Sequence, residues 1–226
     1  MNSMKRPERF FGQMPGGNRM TENQYSMPKL CTYVVDTDKG LAPNPLWGWC
    51  TLASCPPNHQ GARLEPGDWI AGFLGKNQGH RILYAMVIDE KLHLNDYFHD
   101  PRFALKKPDP DGNWMARCGD NIYSQTDDGN WSQHPTIFHR GEKQQDKDTR
   151  KPYVYVGNQF WYFGREAKTL PDCFRSLVGG RGIRMNHPRN VEIGFRNWIY
   201  TFIEGIHGLP KDNPDLNKKA MIKGWH

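Results

Sequence analysis

Short apolar runs rich in β-branched and aromatic residues alternate along the chain with clusters of glycine, proline and polar residues. Runs of this length and composition, bounded by turn residues, are typical of β-strands. The predicted strands cover residues 31–36, 69–74, 82–88, 153–156 and 160–164. Residues 75–79 are expected to connect the second strand to the third as a hairpin, and Gly157 and Asn158 to join the last two strands in the same way.

An amphipathic helix is predicted near the C-terminal end of the sequence. Between positions 191 and 206, apolar residues recur at helical spacing and form one stripe. The stripe consists of Val191, Phe195, Trp198, Ile199, Phe202, Ile203 and Ile206. Asn190 is a suitable N-cap, and Gly208 and Pro210 follow where the helix is expected to end. Shorter helices or helical turns are expected within residues 51–55, 95–103 and 170–178.

Strands that follow one another without regular helical crossovers favour an α+β fold over a parallel βαβ fold. The predicted architecture is a small antiparallel or mixed sheet, curled or closed into a barrel, with flanking helices. Residues 1–29 are expected to form a flexible arm, residues 30–209 a single domain and residues 210–226 a polar tail. The polar stretch 106–150 is too long for a simple linker, so it is expected to contain functional loops.

Composition narrows the class of protein. The chain has 226 residues, enough to bury a sizeable core, and its aromatic content of 12% argues against disorder. No apolar run approaches the roughly 18 residues of a membrane span, and the first residues lack the apolar core of a signal peptide. Five cysteines without a dense framework do not indicate a disulfide-rich secreted module. A cytoplasmic, reducing environment without a membrane partner is therefore expected.

The charge is compatible with phosphate-containing partners. The formal net charge is +6, which permits contact with nucleotides or nucleic acids. Residues 1–30 contain five basic and two acidic side chains and so account for half of this excess. The rest of the chain has an ordinary charge balance, and charge alone does not distinguish a binding surface from a solvated one.

The first predicted strand ends in an acidic pair. Asp36 and Asp38 can bind Mg²⁺ or transfer protons, or they can hydrogen-bond their own loop. Asn44, between two prolines, is suited to a specific amide contact or to a turn. Cys50 and Cys55 are candidate nucleophiles if a helix start lowers their pKa, and otherwise inert buried thiols.

A zinc site is a weaker alternative for the two cysteines. Their spacing is allowed for zinc ligands, but a second ligand pair is missing from the sequence nearby. Cys118 with His134 or His139 would have to complete the site. Neither a metal nor a cofactor is predicted.

Further residue types in the chain are those that recognise bases and phosphates. Tryptophan and tyrosine rings can stack on bases, and amides and carboxylates can bind base edges, although all of them also serve in cores and turns. The candidates are Trp47, Trp49, Trp69, Asp120, Asn121 and Tyr123. Arg165 and Arg181 stand beside glycines and are candidate phosphate contacts, although the glycine spacing matches no Walker or dinucleotide motif.

Several motifs in combination resemble one known family. They are YVVDTDKGLAPNP at 33–45, CTLASC at 50–55, GDWI at 67–70, LYAM at 83–86, GDNIY at 119–123 and FGR at 163–165. Together they resemble the second of the nucleotide-modification-associated domain families, over about residues 30–208. The resemblance implies a bacterial or phage protein with a nucleotide-related role, linked to modified DNA bases. The order of elements from Gly67 to Phe103 is also similar to that of EVE and PUA-like modules, small β-barrels that recognise RNA or modified bases.

The leading interpretation is a binding module that recognises a modified base or nucleotide, with DNA favoured over RNA as the nucleic acid. In it the tryptophans stack on the base, the amides and carboxylates bind its edges, and the arginines bind phosphate. One alternative is an enzyme, a transferase or hydrolase acting on a nucleotide or DNA base, with Asp36 or Asp38 as acid or base. Another is a structural subunit with protein partners in a modification complex.

Overall fold

The computed structural model describes residues 27–54, 62–180 and 182–216. The strands are β1 (Leu30–Val34), β2 (Cys50–Leu52), β3 (Trp69–Phe73), β4 (Arg81–Val87), β5 (Glu90–His93), β6 (Tyr123–Gln125), β7 (Trp131–Gln133), β8 (Tyr153–Gly157), β9 (Phe160–Tyr162), β10 (Lys168–Thr169) and β11 (Gly205–Ile206). The α-helices are α1 (Leu94–His99), α2 (Trp114–Arg117), α3 (Glu142–Thr149) and α4 (Arg189–Ile199). Short 3₁₀ helices cover Lys76–Gln78, Pro101–Lys106, Gly164–Glu166 and Asp172–Leu177.

A mixed sheet of six strands lies at the centre of the fold, within the part of the chain that the structure describes. Its strands lie in the order β1-β3-β4-β9-β11, with β10 also paired to β4. The β1–β3 and β9–β11 pairs are parallel, whereas β3–β4 and β4–β9 are antiparallel. Strands β3 and β4 are buried over almost their whole length, which explains their nearly continuous apolar sequences.

Helices cover one face of the central sheet. Ala71, Ala85 and Trp161 lie in register on neighbouring strands. They share one apolar cluster with Phe195 of α4 and with the 3₁₀ helix Asp172–Leu177. The apolar stripe predicted for α4 therefore faces the sheet.

A small antiparallel sheet covers the other face. Its strands lie in the order β2-β8-β5. Cys50, Leu52 and Tyr155 of this sheet form a second apolar cluster with Ile70 and Tyr84 of the central sheet. A third cluster, between the small sheet, α1 and β6, lies on its far side. The result is a layered α+β architecture, as the sequence predicts.

The mixed sheet is confirmed, but the barrel alternative is not. The central and small sheets remain separate, and no closed barrel forms in the part of the chain that the structure describes. The strands at the two ends of the central sheet, β1 and β11, do not pair with each other. Face-to-face packing of two sheets therefore encloses the core.

Strands β8 and β9 exist as predicted, but the expected hairpin between them is wrong. β8 pairs with β2 and β5, whereas β9 pairs with β4 and β11. Where the chain passes from the small sheet to the central sheet, Gly157 lies directly against β4. A Cβ atom on Gly157 would be 2.2 Å from the carbonyl oxygen of Val87. The main-chain N–H of Asn158 donates to Asp89 Oδ2 at 2.6 Å. These long-range contacts carry the chain from one sheet to the other.

Two further elements differ from the sequence-based expectation. Residues 51–55 are expected to form a helical turn, but Thr51 and Leu52 belong to strand β2. Pairing with β8 overrides the local preference there. Helix α4 ends at Ile199, and Ile203 of the predicted stripe is 84% exposed.

No helix within the described ranges is long and apolar enough to cross a membrane.

The polar stretch 106–150 contains regular structure as well as loops. It holds α2, the antiparallel pair β6–β7 and α3. Helix α3 is polar throughout, and Asp148 is its buried residue. Burial of an acidic side chain is unusual unless it is paired, so the groups around Asp148 are expected to bind its carboxylate.

Candidate functional site

The segment that follows β1, residues 35–42, lies between two cavities. The histidine cavity, about 250 Å³ in volume, is lined by Thr37, Lys39, Leu41, Ala42, Ile137, Phe138 and His139. The glycine cavity, about 430 Å³ in volume, is lined by Val34, Asp36, Gly75, Lys76, Gly179, Gly180 and Gly182. Because the neighbouring residues Asp36 and Thr37 line different cavities, the 35–42 segment forms part of the wall of both.

A histidine–aspartate pair adjoins the histidine cavity. His139 Nδ1 donates to Asp148 Oδ2 at 2.5 Å. Asp148 has no exposed surface. Its Oδ2 also accepts from the Tyr123 hydroxyl at 2.9 Å, and its Oδ1 accepts from Gln144 Nε2 at 2.9 Å. These donors compensate the burial of a carboxylate, which would otherwise be costly.

Several elements position this pair. Gln144 and Asp148 are four residues apart on α3, so their side chains lie on the same face of the helix. Tyr123 begins β6, and Gln133 at the end of β7 donates to the carbonyl oxygen of His139. His139 has φ +54°, a left-handed backbone conformation that is uncommon for residues other than glycine. The pair thus depends on the folding of the whole polar region around it.

The hydrogen bond to Asp148 determines what the imidazole can do. With its proton on Nδ1, the neutral ring of His139 has Nε2 as the nitrogen that accepts hydrogen bonds or a proton. A carboxylate on the opposite nitrogen also fixes the orientation of the ring. The arrangement is therefore suited to binding a donor group of a ligand and to accepting a proton.

An aromatic ring and a cation belong to the same cavity. Lys39 Nζ lies 5.2 Å from the centroid of the Phe138 ring, a cation–π distance. Lys39 is exposed, whereas Phe138 is buried. The histidine cavity therefore combines a positive charge, an aromatic ring and an oriented imidazole with apolar lining residues such as Leu41 and Ile137.

Asp38, predicted as an acid–base candidate, anchors the 35–42 segment. Its side chain is buried and accepts from the Tyr162 hydroxyl at 2.7 and 2.8 Å, from Lys211 N at 2.9 Å and from Gly40 N at 3.2 Å. Burial raises the pKa of Asp38, although these hydrogen bonds oppose the shift. The contacts of Asp38 hold the wall of both cavities in place.

Residues 210–216, the described part of the predicted polar tail, pack against the same segment. Asp38 N donates to Asp212 Oδ2 at 2.9 Å, and Asp212 N donates to the carbonyl oxygen of Asp38 at 2.6 Å. Asn213, 1% exposed, donates from Nδ2 to the carbonyl oxygen of Lys39 at 2.9 Å. Arg165, a predicted phosphate contact, donates from Nε to the carbonyl oxygen of Pro210 at 3.1 Å. Contacts with distant residues, which no local pattern reveals, order this stretch.

The glycine cavity contains one of the predicted acidic residues. Asp36 is exposed and lines this cavity together with Lys76 from the β3–β4 connection. The glycines on either side of Arg181 line it as well. Arg181 itself lies outside the described residues, and so does Cys55.

Asn44 and Asp120 belong to a buried polar network around Lys106. Lys106, 1% exposed, donates from Nζ to Asn44 Oδ1 at 2.9 Å and to the carbonyl oxygen of Asn44 at 3.1 Å. Asp120 accepts from the Thr51 hydroxyl at 2.6 Å and from the Tyr97 hydroxyl at 2.8 Å. Burial lowers the pKa of Lys106 to about 8 and raises the pKa of Asp120. These groups bind one another inside the core.

Asn121 and Cys50 are buried as well. Asn121 Nδ2 donates to the carbonyl oxygens of Tyr97 and Phe103 at 3.1 and 3.2 Å. Cys50 lies on strand β2 rather than at a helix start, and burial raises the pKa of its thiol. This shift is opposite to the one that activates a nucleophilic cysteine.

The three candidate tryptophans lie in different clusters and form no common stacking surface. Trp69 is 3% exposed and stacks on Trp161 with the ring centroids 5.5 Å apart. Trp49 packs edge-on against Phe103. Trp47, partly buried, belongs to the apolar cluster beside the histidine cavity.

Among the described residues considered for zinc, Cys50, Cys118, His134 and His139 form no common cluster. Cys118 Sγ donates to the carbonyl oxygen of Lys39 at 3.3 Å and accepts from Asn213 Nδ2 at 3.0 Å. His139 binds Asp148 instead. Within residues 27–54, 62–180 and 182–216, no group of three or more His, Cys, Asp or Glu side chains is placed to hold a metal ion.

The sequence predicts only part of the site. Its candidates Asp36 and Tyr123 line a cavity and contact the histidine–aspartate pair, respectively. It does not single out Asp148 or Lys106, and it indicates His139 only as a possible zinc ligand. The sequence contains only a weak signal for the burial of Asp148. In α3, Gln144 and Asp148 are four residues apart in a helix without an apolar stripe, and nothing in that spacing shows which acidic residue is buried.

Comparison with known proteins identifies the family. The family model described as nucleotide modification associated domain 2 matches residues 27–217, which include both cavities and the histidine–aspartate pair. No curated protein and no solved structure matches the chain. Since the matched region covers most of the sequence, the chain belongs to the nucleotide modification associated domain 2 family.

Proposed function

We propose that this chain binds a nucleotide in the histidine cavity and recognises its base, as a binding module of a nucleotide-modification system. The observation that carries the proposal is the meeting of Lys39, Phe138 and His139 in one cavity of limited size. These are the three kinds of group that a nucleotide requires: a cation, an aromatic surface and an oriented hydrogen-bonding group. The association of the family with nucleotide modification supports the same reading.

The volume of the histidine cavity supports a ligand of about the size of one base. At about 250 Å³, it is slightly smaller than the roughly 300–1,000 Å³ typical of sites for drug-sized molecules. A base fits inside such a space, whereas its sugar and phosphate extend towards the exposed side. Lys39, which is exposed, is then placed to bind the phosphate.

Each residue has a distinct role in this proposal. Phe138 contacts the base through its ring, and base–aromatic contacts are worth about 1–3 kcal/mol. His139, oriented by Asp148, accepts a hydrogen bond through Nε2 from a donor group of the bound nucleotide or from a water molecule beside it. Lys39 pairs with a phosphate oxygen. The buried network around Lys106 has a structural role, because its groups bind one another.

A modified base within DNA is the second form of the same ligand. Such a base must leave the helical stack to enter the cavity, at a cost of a few kcal/mol. A base that pairs or stacks weakly reduces this cost. A free nucleotide and a base in DNA should therefore both be tested.

The test is a binding assay on the Lys39→Gln variant. The ligands are deoxynucleoside 5′-monophosphates with unmodified, 5-methylated and 5-hydroxymethylated bases, and a DNA duplex that contains one such base. A hydrogen bond to a charged group is worth about 1.5–3 kcal/mol, so we expect Kd to rise about tenfold or more for the bound ligand. Because one phosphate contact is lost, the salt dependence of binding should also decrease.

Lys76→Gln is the matched control for this experiment. Lys76 is exposed like Lys39 but lines the glycine cavity, and its substitution should leave Kd unchanged. If Lys76→Gln weakens binding and Lys39→Gln does not, the ligand occupies the glycine cavity and the proposal is wrong. Failure of the unmodified protein to bind any of these ligands would contradict it as well.

A further inference from the structure

The histidine–aspartate pair is held more strictly than recognition of a base requires. A hydrogen bond to a base can come from an exposed polar side chain without further support. Here the imidazole of His139 is held by a carboxylate with no exposed surface. The side chain of His139 is itself only 14% exposed, yet it lines the cavity.

Support for the pair comes from separate parts of the chain. Tyr123 of β6 and Gln144 of α3 each donate to the Asp148 carboxylate at 2.9 Å. Gln133 of β7 binds the main chain of His139. A network of this kind fixes both the position of the carboxylate and the orientation of the ring that it binds.

The backbone of His139 also has an uncommon conformation. Its φ of +54° is unfavourable for a residue with a Cβ atom. Backbone conformations of this kind are retained where the surroundings enforce them, and they are concentrated at functional sites. The fold therefore maintains His139 in this position at an energetic cost.

The chemistry of such a pair is proton transfer. Since Nδ1 donates to Asp148, Nε2 is the atom that takes up a proton, and the carboxylate stabilises the imidazolium that results. Lys39 contributes a positive charge to the same cavity. Charge of this sign stabilises the negative charge that develops on an attacked phosphate group.

We propose that His139 is a general base that activates water for hydrolysis of a phosphate ester or anhydride of the nucleotide bound in the histidine cavity, with Asp148 as its positioning residue. This inference rests on the proposed function. Nε2 takes a proton from water, and the water oxygen forms a bond to phosphorus. The bond from phosphorus to the leaving oxygen breaks with its electron pair, and that oxygen receives the proton from the imidazolium. The net reaction consumes one water molecule.

The experiment measures binding and turnover of the same ligands in parallel. Nucleoside mono- and triphosphates with unmodified and modified bases are incubated with the protein in H₂¹⁸O, and the products are analysed by mass spectrometry. We expect one ¹⁸O atom in a phosphate group of the product. His139→Gln should lower the rate about 100-fold or more, the usual range for loss of a general base, while Kd changes by no more than about tenfold.

Asp148→Asn tests the positioning role. It should lower the rate and move the acidic limb of the pH–rate profile to lower pH, because the imidazolium loses its carboxylate partner. Gln144→Ala removes one donor to Asp148 from a partly buried position and should give a smaller loss of rate, which provides a second measurement if Asp148→Asn does not fold. His99→Gln, on an exposed residue of α1, should retain full activity.

The outcomes separate this inference from the proposed function. A ligand that binds but gains no ¹⁸O, or that reacts equally fast with His139→Gln, overturns the general-base role and leaves the binding function intact. Incorporation of ¹⁸O into the base or the sugar overturns the assignment to phosphorus. If no ligand binds and none reacts, both proposals are wrong.

Discussion

At the scale of single residues, Lys106 is a charged side chain buried in the described core. The residue is 1% exposed, and its ammonium group donates to oxygen atoms of Asn44 and to the carbonyl oxygen of Trp49. Burial lowers its pKa from the ordinary value of 10.5 to about 8. The nearby carboxylate of Asp120 opposes this shift, but desolvation is the larger effect, so the charged form of Lys106 is disfavoured in the folded state.

This shift predicts a pH dependence of stability. Between about pH 8 and pH 10.5 the unfolded chain binds a proton at Lys106 that the folded chain has lost, so the contribution of Lys106 to stability rises with pH. Lys106→Met abolishes this contribution and leaves acceptor oxygens without a donor. We expect a loss of about 1–3 kcal/mol at pH 7 and a larger loss at pH 9 and 10, measured by urea unfolding.

The difference in free energy of unfolding between the wild type and Lys106→Met isolates the contribution of Lys106, because the contributions of other titrating groups largely cancel. Lys143→Met, on the exposed side of α3, serves as the control and should show a small difference that does not vary in this range. If the difference in free energy of unfolding between the wild type and Lys106→Met stays constant or decreases above pH 8, the lysine does not titrate as described.

At the scale of elements, the 35–42 segment and residues 210–216 form one hydrogen-bonded unit. Asp38 and Asp212 bind each other's main chain, and the Tyr162 hydroxyl of β9 joins Asp38 to the central sheet. Residues 37, 39, 41 and 42 line the histidine cavity. The geometry of that cavity therefore depends on a stretch far away in sequence.

Tyr162→Phe tests this dependence. It removes a hydroxyl that lies 2.7 and 2.8 Å from the two carboxylate oxygens of Asp38. We expect a loss of about 1–3 kcal/mol in the free energy of unfolding, together with faster amide hydrogen exchange in residues 36–42 and 210–216. Tyr84→Phe is a matched control, because it breaks a buried hydroxyl pair with Tyr33 on the same sheet. If both variants exchange alike in these two stretches, the proposed coupling does not exist.

The elements also show what the sequence could predict. Strands β1, β3 and β4 follow from local apolar patterns, and so does the stripe of α4. The partners of β8 and β9 depend on contacts made far along the chain, such as that of Gly157 with Val87, which a local pattern does not contain. For the same reason the motif residues Asn44 and Asp120 could be identified as unusual, but not as parts of a buried network.

At the scale of the whole molecule, the site is assembled where separate regions of the sequence meet. The segment after β1 provides Lys39, the polar region provides Phe138 and His139, and α3 provides Asp148. Residues 210–216 stabilise the segment after β1 from outside. The sequence identified the family through its motifs, and the family model over residues 27–217 confirms it. It could not identify the pair of His139 and Asp148, because their meeting requires the fold of β6, β7 and α3.

The central claim is that a nucleotide occupies the histidine cavity, and NMR of the histidine side chains tests it most directly. Full-length protein labelled with ¹³C at its nine histidines is titrated with each nucleotide, and the resonance of His139 is assigned with the His139→Gln variant. A bound nucleotide should shift the His139 ring resonance with a saturable dependence on concentration, whereas exposed His99 should not shift. Saturable binding that leaves His139 unchanged would place the ligand elsewhere and contradict the account.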